Sequence, residues 1–325
     1  MTQTTTPLEQ TIALLARSNH PLLIAHPRPD GDTIGSTLAL RLALLELGKD
    51  PIIACVHPLP TNLEYLPGAG AFVADVPEDA DIDLVVAVDM SDLKRTGGIY
   101  KESWRRRYPL LVIDHHETNE EFGDVNLVVA AAAATAVPLI DVIQALGVAP
   151  RDEIATCLLV GLLTDTRGLR TETTTPEVLR IVGQLIEAGG DYLQVMQRTM
   201  DAVPYLQMRG WGIALNRLQL EDSLAWTTFP VSHKEALGIE DHDDLDLGNL
   251  LSRVAEAKVI AAFVEMRDHT VKVSMRARPG YNVATVAYEL GGGGHRQAAG
   301  CTLDGPLDHV VEQVLARLRE TVSMA

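Results

Sequence analysis

Short apolar runs alternate with longer segments of helical spacing through the first half of the chain. The runs that predict buried strands are residues 21–26, 51–56, 83–89, 110–114 and 125–129. The segments that predict helices are residues 34–47, 135–146, 154–163 and 176–188. Strands that alternate with helices are typical of a parallel sheet covered by helices on both faces. We therefore predict an α/β fold with a mostly parallel sheet for this half.

The second half has a different pattern. It predicts helices at residues 204–218, 245–257, 282–290 and 307–322, and strands at 224–229, 259–266, 270–275 and 299–303. A run of four glycines at 291–294 predicts a loop between the helix at 282–290 and the strand at 299–303. We predict a smaller C-terminal α/β domain. The expected division is a catalytic domain at 1–190, a helical linker at 191–210 and a substrate-binding domain at 211–325.

Charge and composition narrow the function classes. The chain has 325 residues and a net charge of −17, which argues against a protein that wraps long nucleic acid but permits a short nucleotide substrate. The apolar runs are too short to span a bilayer, and the N-terminus lacks the pattern of a secretory signal. The three scattered cysteines are typical of reduced thiols. We expect a cytoplasmic protein with no membrane partner.

Acidic and imidazole side chains follow several of the predicted strands and helices. His26, Asp30 and Asp32 come after the first strand, and Asp89 ends a fully apolar run. Taken alone, each aspartate could simply cap a helix or form a turn. An ionised carboxylate after an apolar strand is nevertheless costly unless it is paired or binds a metal.

The sequence 114–116 adds a carboxylate and two adjacent imidazoles to the same pattern. Asp114, His115 and His116 end an apolar strand, and Asp165 ends an apolar helical run. In open α/β sheets, ligands bind at the carboxyl ends of the strands. Carboxylates with imidazole suit Mn²⁺, and also Mg²⁺ or Zn²⁺. Two cations about 3.5–4 Å apart could share a carboxylate and activate a bridging water for in-line attack on phosphorus.

These segments, in their order along the chain, resemble the motifs of the DHH phosphoesterase superfamily. The first four are HPRPDGDTIGS (26–36), VDMSDLKRTG (88–97), DHHETN (114–119) and GLLTDT (161–166). VSMRA (273–277) and GGGGHRQAAG (291–300) are similar to the C-terminal domain that accompanies the catalytic domain. In size and layout the chain is similar to the branch of nanoRNases and pAp phosphatases.

The resemblance implies a role for each of these residues. Two divalent ions, with Mn²⁺ favoured over Mg²⁺, would be held by His26, Asp30, Asp32, Asp89, His115 and Asp165, and Asp89 would bridge them. His116 would face the substrate phosphate, and Asp114 would orient the neighbouring histidines. The substrate-binding residues of the C-terminal domain would be Ser274, Arg276, Gly292, Gly293, Gly294 and His295.

The expected activity is hydrolysis of short oligonucleotides to mononucleotides, and the same pocket could convert 3′-phosphoadenosine 5′-phosphate (pAp) to AMP. Alternatives within the superfamily are a cyclic dinucleotide phosphodiesterase, a RecJ-like single-strand exonuclease and an inorganic pyrophosphatase. A non-catalytic nucleotide-binding protein is the alternative from another class. The resemblance also implies a homodimer.

Overall fold

The structure is a computed structural model that describes residues 5–240 and 244–323. The chain divides into two compact units, Met1–Ala202 and Val203–Ala325. This division falls inside the segment 191–210 that the sequence predicts as a linker. The expected α/β fold with a parallel first sheet and a second, smaller α/β unit is confirmed.

The first unit is built on a six-stranded sheet in which all neighbouring strands are parallel, in the order β3-β2-β1-β4-β5-β6. The strands are β1 (Pro21–Ala25), β2 (Ile52–Ala54), β3 (Phe72–Val73), β4 (Leu84–Val88), β5 (Leu110–Asp114) and β6 (Val125–Val128). Strands β1, β4 and β5 are buried along their whole length. That burial explains their continuous apolar sequences, since both faces of a parallel sheet are covered.

Helices of different kinds cover the two faces of this sheet. On one side of the sheet, a single hydrophobic core includes residues of α1 (Pro7–Arg17), α2 (Gly31–Glu46), α3 (Ala136–Ala145), α4 (Asp152–Asp165), α5 (Pro176–Glu187) and α6 (Tyr192–Val195). Helices α5 and α6 pack against α4. A π-helical turn, Met196–Met200, follows α6. The other face is covered mainly by loops and by the short 3₁₀ helices Leu93–Thr96 and Glu102–Arg106, with Trp104 fully buried at its centre.

One α-helix and one strand of this unit were absent from the sequence prediction. Helix α1 begins with a capping box in which Thr6 and Glu9 bind each other's backbone amides. This pattern, with Pro7 at the first helical position, is a recognisable start signal. Strand β3 has only two residues, too few to produce a periodic pattern.

The second unit contains a mixed six-stranded sheet in the order β11-β12-β10-β9-β8-β7, in which only β8 and β9 are parallel neighbours among the described residues. Its strands are β7 (Gln219–Glu221), β8 (Leu224–Phe229), β9 (Val259–Glu265), β10 (Thr270–Ala277), β11 (Gly293–His295) and β12 (Ala298–Asp304). Its helices are α7 (Tyr205–Asn216), α8 (Val231–Leu237), α9 (Leu247–Leu251), α10 (Ala284–Glu289) and α11 (Leu307–Ser323).

Two predictions for this unit were wrong in detail. The helix expected at 245–257 is reduced to the five residues of α9. The glycine run expected as a loop instead contributes β11, which pairs with β12 in a hairpin. A glycine-rich strand carries no side-chain alternation, so the sequence gives no sign of it. Among the described residues, no helix has the length and apolar character needed to cross a bilayer.

Asp83 joins the beginnings of β1 and β4. Its carboxylate accepts hydrogen bonds from the Ser18 hydroxyl and from the backbone amides of Asn19 and His20. Burial opposes the charged form, but these hydrogen bonds outweigh it and lower the pKa of Asp83. The carboxylate therefore stabilises the fold above its usual titration range, and the contribution disappears as pH falls through the lowered pKa.

We expect Asp83→Asn to lower the free energy of unfolding at pH 7 by about 1 kcal/mol, because the isosteric amide loses the charge that strengthens these hydrogen bonds. Urea unfolding of both proteins at several pH values measures this difference, which should narrow in acid. The exposed neighbour Asp81 provides the control substitution Asp81→Asn. If the difference in free energy of unfolding stayed constant down to strongly acidic pH, the assigned role of Asp83 would be contradicted.

Candidate active site

The carboxyl ends of three adjacent strands bring the predicted residues together. His26 follows β1, Asp89 follows β4, and Asp114 is the last residue of β5, with His115 directly after it. Two helices of the same unit complete the set. Asp30 and Asp32 lie at the start of α2, and Asp165 is the last residue of α4.

The first cluster consists of His26, Asp30 and Asp89. The Nε2 atom of His26 lies 3.6 Å from Oδ2 of Asp30 and 3.5 Å from Oδ2 of Asp89. Nδ1 of the same ring lies 2.9 Å from the carbonyl oxygen of Pro27, to which it donates. This arrangement leaves Nε2 as the ligand atom, which is the usual way that proteins orient a metal-binding histidine.

The second cluster consists of Asp32, His115 and Asp165. Nε2 of His115 lies 3.2 Å from Oδ2 of Asp165 and 3.9 Å from Oδ2 of Asp32. Nδ1 of His115 donates to the carbonyl oxygen of Ala132 at 3.1 Å. The candidate ligand atoms within each cluster lie within 4.8 Å of one another, so each cluster could hold one ion.

Asp89 lies between the two clusters. Its Oδ2 faces His26, while its Oδ1 lies 3.8 Å from Nε2 of His115. The two carboxylate oxygens of Asp89 therefore face different clusters. The backbone of Asp89 has the left-handed value φ = 59°, a conformation that aspartate and asparagine adopt more readily than most residues other than glycine.

Asp32 is fully buried and is held by the beginning of α3. Its carboxylate accepts the backbone amides of Thr135 at 2.6 Å and Ala136 at 3.1 Å. The hydroxyl of Ser36 donates a third hydrogen bond at 3.0 Å. The amides at a helix N-terminus favour negative charge, which offsets part of the cost of burying this carboxylate.

Asp30 combines two roles that the sequence could not separate. Its Oδ1 caps α2 by accepting the backbone amides of Asp32 and Thr33, both at 3.1 Å. Its Oδ2 remains directed at His26. The capping interpretation and the ligand interpretation are therefore both compatible with this one side chain.

Close packing of α2 against α4 brings Asp32 and Asp165 into the same pocket. A Cβ atom added to Gly35 would lie 2.4 Å from the carbonyl oxygen of Cys157. A Cβ atom added to Gly161 would lie 2.6 Å from Oδ1 of Asp32. Only glycine allows the two helices to approach this closely, so these two positions set the distance between the two carboxylates.

Electrostatic interactions in the pocket favour cations. Burial and the negative charges of Asp89 and Asp165 raise the pKa of Asp32 well above its usual value. Burial would lower the pKa of His26 and His115, but their carboxylate partners outweigh it and raise each to about 10. Metal ligands are deprotonated, so a bound cation would take the place of these protons. Four carboxylates and two oriented imidazoles are a suitable donor set for two divalent ions.

His116 is connected to a separate chain of hydrogen bonds. Its Nδ1 donates to Oδ1 of Asp114 at 2.7 Å, and Oδ2 of Asp114 accepts from Asn119 at 2.6 Å. The contact with Asp114 raises the pKa of His116. Both neighbouring histidines were expected to depend on Asp114, but in the described part of the chain its side chain holds His116 and not His115. His115 is held by a backbone carbonyl instead.

Four of the predicted substrate-binding residues share one face of the second sheet. Ser274 lies opposite Gly300, which lies opposite Gly293. In the next row, Arg276 lies opposite Ala298, which lies opposite His295. Directly opposed residues of antiparallel strands point to the same face. The guanidinium of Arg276 is itself held by Asn249, whose Oδ1 lies 3.1 Å from Nε.

Gly292 and Gly294 do not belong to that face of the sheet. At both positions a side chain would clash with β12. A Cβ atom on Gly292 would lie 2.2 Å from the carbonyl oxygen of Gly300. Gly294 has φ = 133° and lies opposite Ala299, which belongs to the core side of the sheet. The close approach of β11 to β12 explains why both positions are glycine.

Several residues that hold the candidate ligands could not be identified as functional from the sequence. Thr135 donates its hydroxyl to Oδ1 of Asp89 at 2.9 Å, and Ser36 binds Asp32. Asn119 bridges Asp114 and the carbonyl oxygen of Met90. Only Ser36, four residues after Asp32 on one helix, has a spacing from which this contact could have been expected.

We expect Thr135→Val to weaken the binding of divalent ions by about tenfold, because residues that orient metal ligands typically contribute to this extent. The substitution keeps the shape of the side chain but removes the hydrogen bond to Asp89. Calorimetric titration of the protein with Mn²⁺ measures the affinity. Thr37→Val is the matched control, since the buried Thr37 hydroxyl has no hydrogen-bond partner in the described part of the chain. Unchanged ion affinity of Thr135→Val would contradict the role.

Comparison with solved structures agrees with this fold. The protein is similar to the crystal structure of an exopolyphosphatase-related protein from Bacteroides fragilis, with a TM-score of 0.85, 20% identity and 98% of both chains covered. At this identity the similarity establishes the fold alone.

Comparison with known sequences identifies the family. The chain is 37% identical over 308 residues to the bifunctional oligoribonuclease and PAP phosphatase NrnA of Thermus thermophilus, covering 94% of this chain and 91% of that protein. It is 24% identical to the cyclic-di-AMP phosphodiesterase GdpP of Geobacillus thermodenitrificans, covering 95% of this chain and 48% of that protein. The model of the DHH family N-terminal domain matches residues 22–162, and that of the DHHA1 domain matches residues 236–324. The chain therefore belongs to the DHH family.

Proposed function

We propose that this protein is a metal-dependent phosphoesterase that hydrolyses short oligonucleotides to mononucleotides, and that it also converts pAp to AMP. The observation that carries the proposal is the pair of ligand clusters at the carboxyl edge of the first sheet, in which Asp89 of the first cluster also faces His115 of the second. The 37% identity to NrnA of Thermus thermophilus supports the choice of substrates.

In this proposal His26, Asp30 and Asp89 hold one divalent ion, and Asp32, Asp89, His115 and Asp165 hold the other. We favour Mn²⁺, with Mg²⁺ as the alternative, because carboxylates and imidazole suit it. Bound there, the two ions would supply Lewis acidity and a reactive water for in-line attack on the phosphorus atom. The protein residues fix the positions of the ligands before substrate arrives, which lowers the cost of organising the site.

His116 is the group we assign to the substrate phosphate. It is about one-third exposed, and Asp114 fixes its Nδ1, so its Nε2–H can donate to a phosphate oxygen or protonate the leaving oxygen. Asn119 holds Asp114 on the other side. The three residues form a proton-donating unit distinct from the ligands of the two ions.

We further propose that the second unit binds the nucleotide through the sheet face that carries Ser274, Arg276, Gly293 and His295. Arginine suits this task because its planar guanidinium can form paired hydrogen bonds to a phosphate or a base edge. The residue rows across β10, β12 and β11 support this assignment. Gly292 and Gly294 contribute by letting β11 lie close to β12.

We also propose a cytoplasmic homodimer. Helix α7 carries four large apolar side chains that are exposed in this single chain, namely Tyr205, Leu206, Met208 and Leu215. Such groups are typical of a contact surface. The three cysteines are buried and unpaired, which agrees with a reducing compartment.

A cyclic dinucleotide phosphodiesterase is the second candidate. The similarity to GdpP of Geobacillus thermodenitrificans covers 95% of this chain, so it includes both units. A cyclic dinucleotide and a linear dinucleotide present the same phosphodiester to the ions. The two candidates therefore differ in the shape of the substrate and not in the chemistry of the site.

Hydrolysis assays with Mn²⁺ test these proposals. The panel contains di- to pentanucleotides, pAp, cyclic di-AMP, longer single strands and pyrophosphate. We expect the highest kcat/KM with dinucleotides and other short oligonucleotides, and measurable release of phosphate from pAp. A preference for cyclic di-AMP would favour the second candidate. A preference for long strands or pyrophosphate would contradict the proposal, and absence of all hydrolysis would favour a binding protein.

We expect His116→Gln to lower kcat about 100- to 1,000-fold, because it removes the proton donor beside the scissile phosphate. The affinity for Mn²⁺ should remain unchanged, since Nδ1 of His116 is engaged by Asp114. Single-turnover hydrolysis and calorimetric titration measure the two quantities, with the exposed His309→Gln on α11 as control. A parallel loss of ion affinity would instead make His116 a metal ligand.

A further inference from the structure

A cavity of about 470 Å³ opens at the carboxyl ends of β2 and β3. This is the sheet edge at which the two ligand clusters lie. Its lining includes the buried residues Cys55 and Ala69 and the half-buried side chains of Leu59 and Phe72. The volume is in the range of about 300–1,000 Å³ that is common for small-molecule sites.

The cavity is in direct contact with the segment that carries the first ligand cluster. Sγ of Cys55 donates to the carbonyl oxygen of His26 at 3.4 Å. The backbone amide of Arg28 donates to Nδ1 of His57 at 2.9 Å. Because Arg28 lies between His26 and Asp30, a molecule in the cavity and a phosphate over the ions could belong to one ligand.

The long loop that forms one wall is fixed in place. It connects β2 to the 3₁₀ helix Ala69–Ala71, and loops of this length without regular structure are usually functional. Asn62 donates to the carbonyl oxygen of Thr199 at 3.1 Å, and Tyr65 and Thr199 share a hydroxyl hydrogen bond of 2.8 Å. The guanidinium of Arg198 lies 4.9 Å from the centre of the Tyr65 ring. The wall is therefore preorganised and requires little ordering when a ligand binds.

The chemistry of the lining selects a neutral ring over a phosphate. Glu64 places a carboxylate at the rim, which would repel a phosphate inside the cavity. Nδ1 of His57 accepts the Arg28 amide, so the proton of the neutral ring is on Nε2, which becomes a donor. A nucleobase has an apolar face that could pack against Phe72 and Leu59. Its edge carries polar groups that match the His57 donor and the Glu64 carboxylate acceptor.

We infer that this cavity binds the nucleobase of one of the two nucleotides that flank the scissile phosphate. The inference rests on the proposed function, because it assigns part of the same substrate to a second location in the first unit. It makes the cavity a determinant of substrate choice. A substrate whose base enters the cavity would bind through this contact, and a substrate that lacks the base would bind without it.

Hydrolysis of the dinucleotide pApA and of two analogues, each with one base replaced by hydrogen, tests the inference. The unsubstituted protein should cleave one analogue about tenfold less efficiently than pApA, in line with the usual value of base stacking on an aromatic ring. Ala74→Leu, at an exposed lining position, should lower kcat/KM for pApA to the value for that analogue. It should leave hydrolysis of the analogue unchanged.

Ala149→Leu is the matched control, because it fills a different cavity of about 460 Å³ that is lined by residues of α3 and α5. It should preserve the preference for pApA. An equal loss of kcat/KM for pApA in Ala74→Leu and Ala149→Leu would overturn the inference. So would an Ala74→Leu protein that keeps the preference of the unsubstituted protein, or that slows pApA and the analogue by the same factor.

Binding of adenosine, measured by saturation-transfer NMR, separates failure of the inference from failure of the proposed function. The nucleoside has no phosphate, so its binding does not depend on catalysis. Adenosine should bind to the unsubstituted protein and to Ala149→Leu, and its signal should fall in Ala74→Leu. If adenosine binds in this pattern but no substrate is hydrolysed, the nucleobase site would be supported and the proposed enzymatic function would be contradicted. An adenosine signal equal in all three proteins would overturn the inference whatever the activity.

Discussion

Repulsion among carboxylates is the constraint on which the first unit depends. Asp32 and Asp89 are buried, and Asp30 and Asp165 are the other carboxylates of the two ligand clusters. Such a set of carboxylates is costly unless each oxygen has a partner. The helix amides, the Thr135 hydroxyl and the two imidazoles supply part of that compensation. Cations would supply the rest, which is why the donor set is best understood as a metal site.

The sheet topology makes this concentration of charge feasible. Strands β1, β4 and β5 are neighbours and parallel, so residues that are far apart in sequence arrive at one edge. The strands themselves are apolar and buried, which fixes their register and with it the positions of His26, Asp89 and His115. The burial of apolar strands that stabilises the core therefore also fixes the positions of the candidate ligands.

The sequence predicted strands β1, β4 and β5, the convergence of their ends and the six candidate ligands, because hydrophobic runs and the residues after them are local features. It did not predict the contact of Thr135 with Asp89, since 46 positions separate the two residues and only the tertiary fold joins them. Gly35 has no local turn that would require a glycine, and its role depends on the neighbouring helix α4. The strand within the glycine run was missed for the same reason, because its identity comes from pairing with β12.

The tight contact between α2 and α4 has a further consequence for the pocket. Neither Gly35 nor Gly161 has room for a Cβ atom, so the packing of the two helices sets the separation of Asp32 and Asp165 without any attraction to a cation. Close-packed protein interiors have low compressibility, so the packed helices hold the two carboxylates at a fixed separation. The spacing of these candidate ligands would therefore be the same whether or not ions were bound.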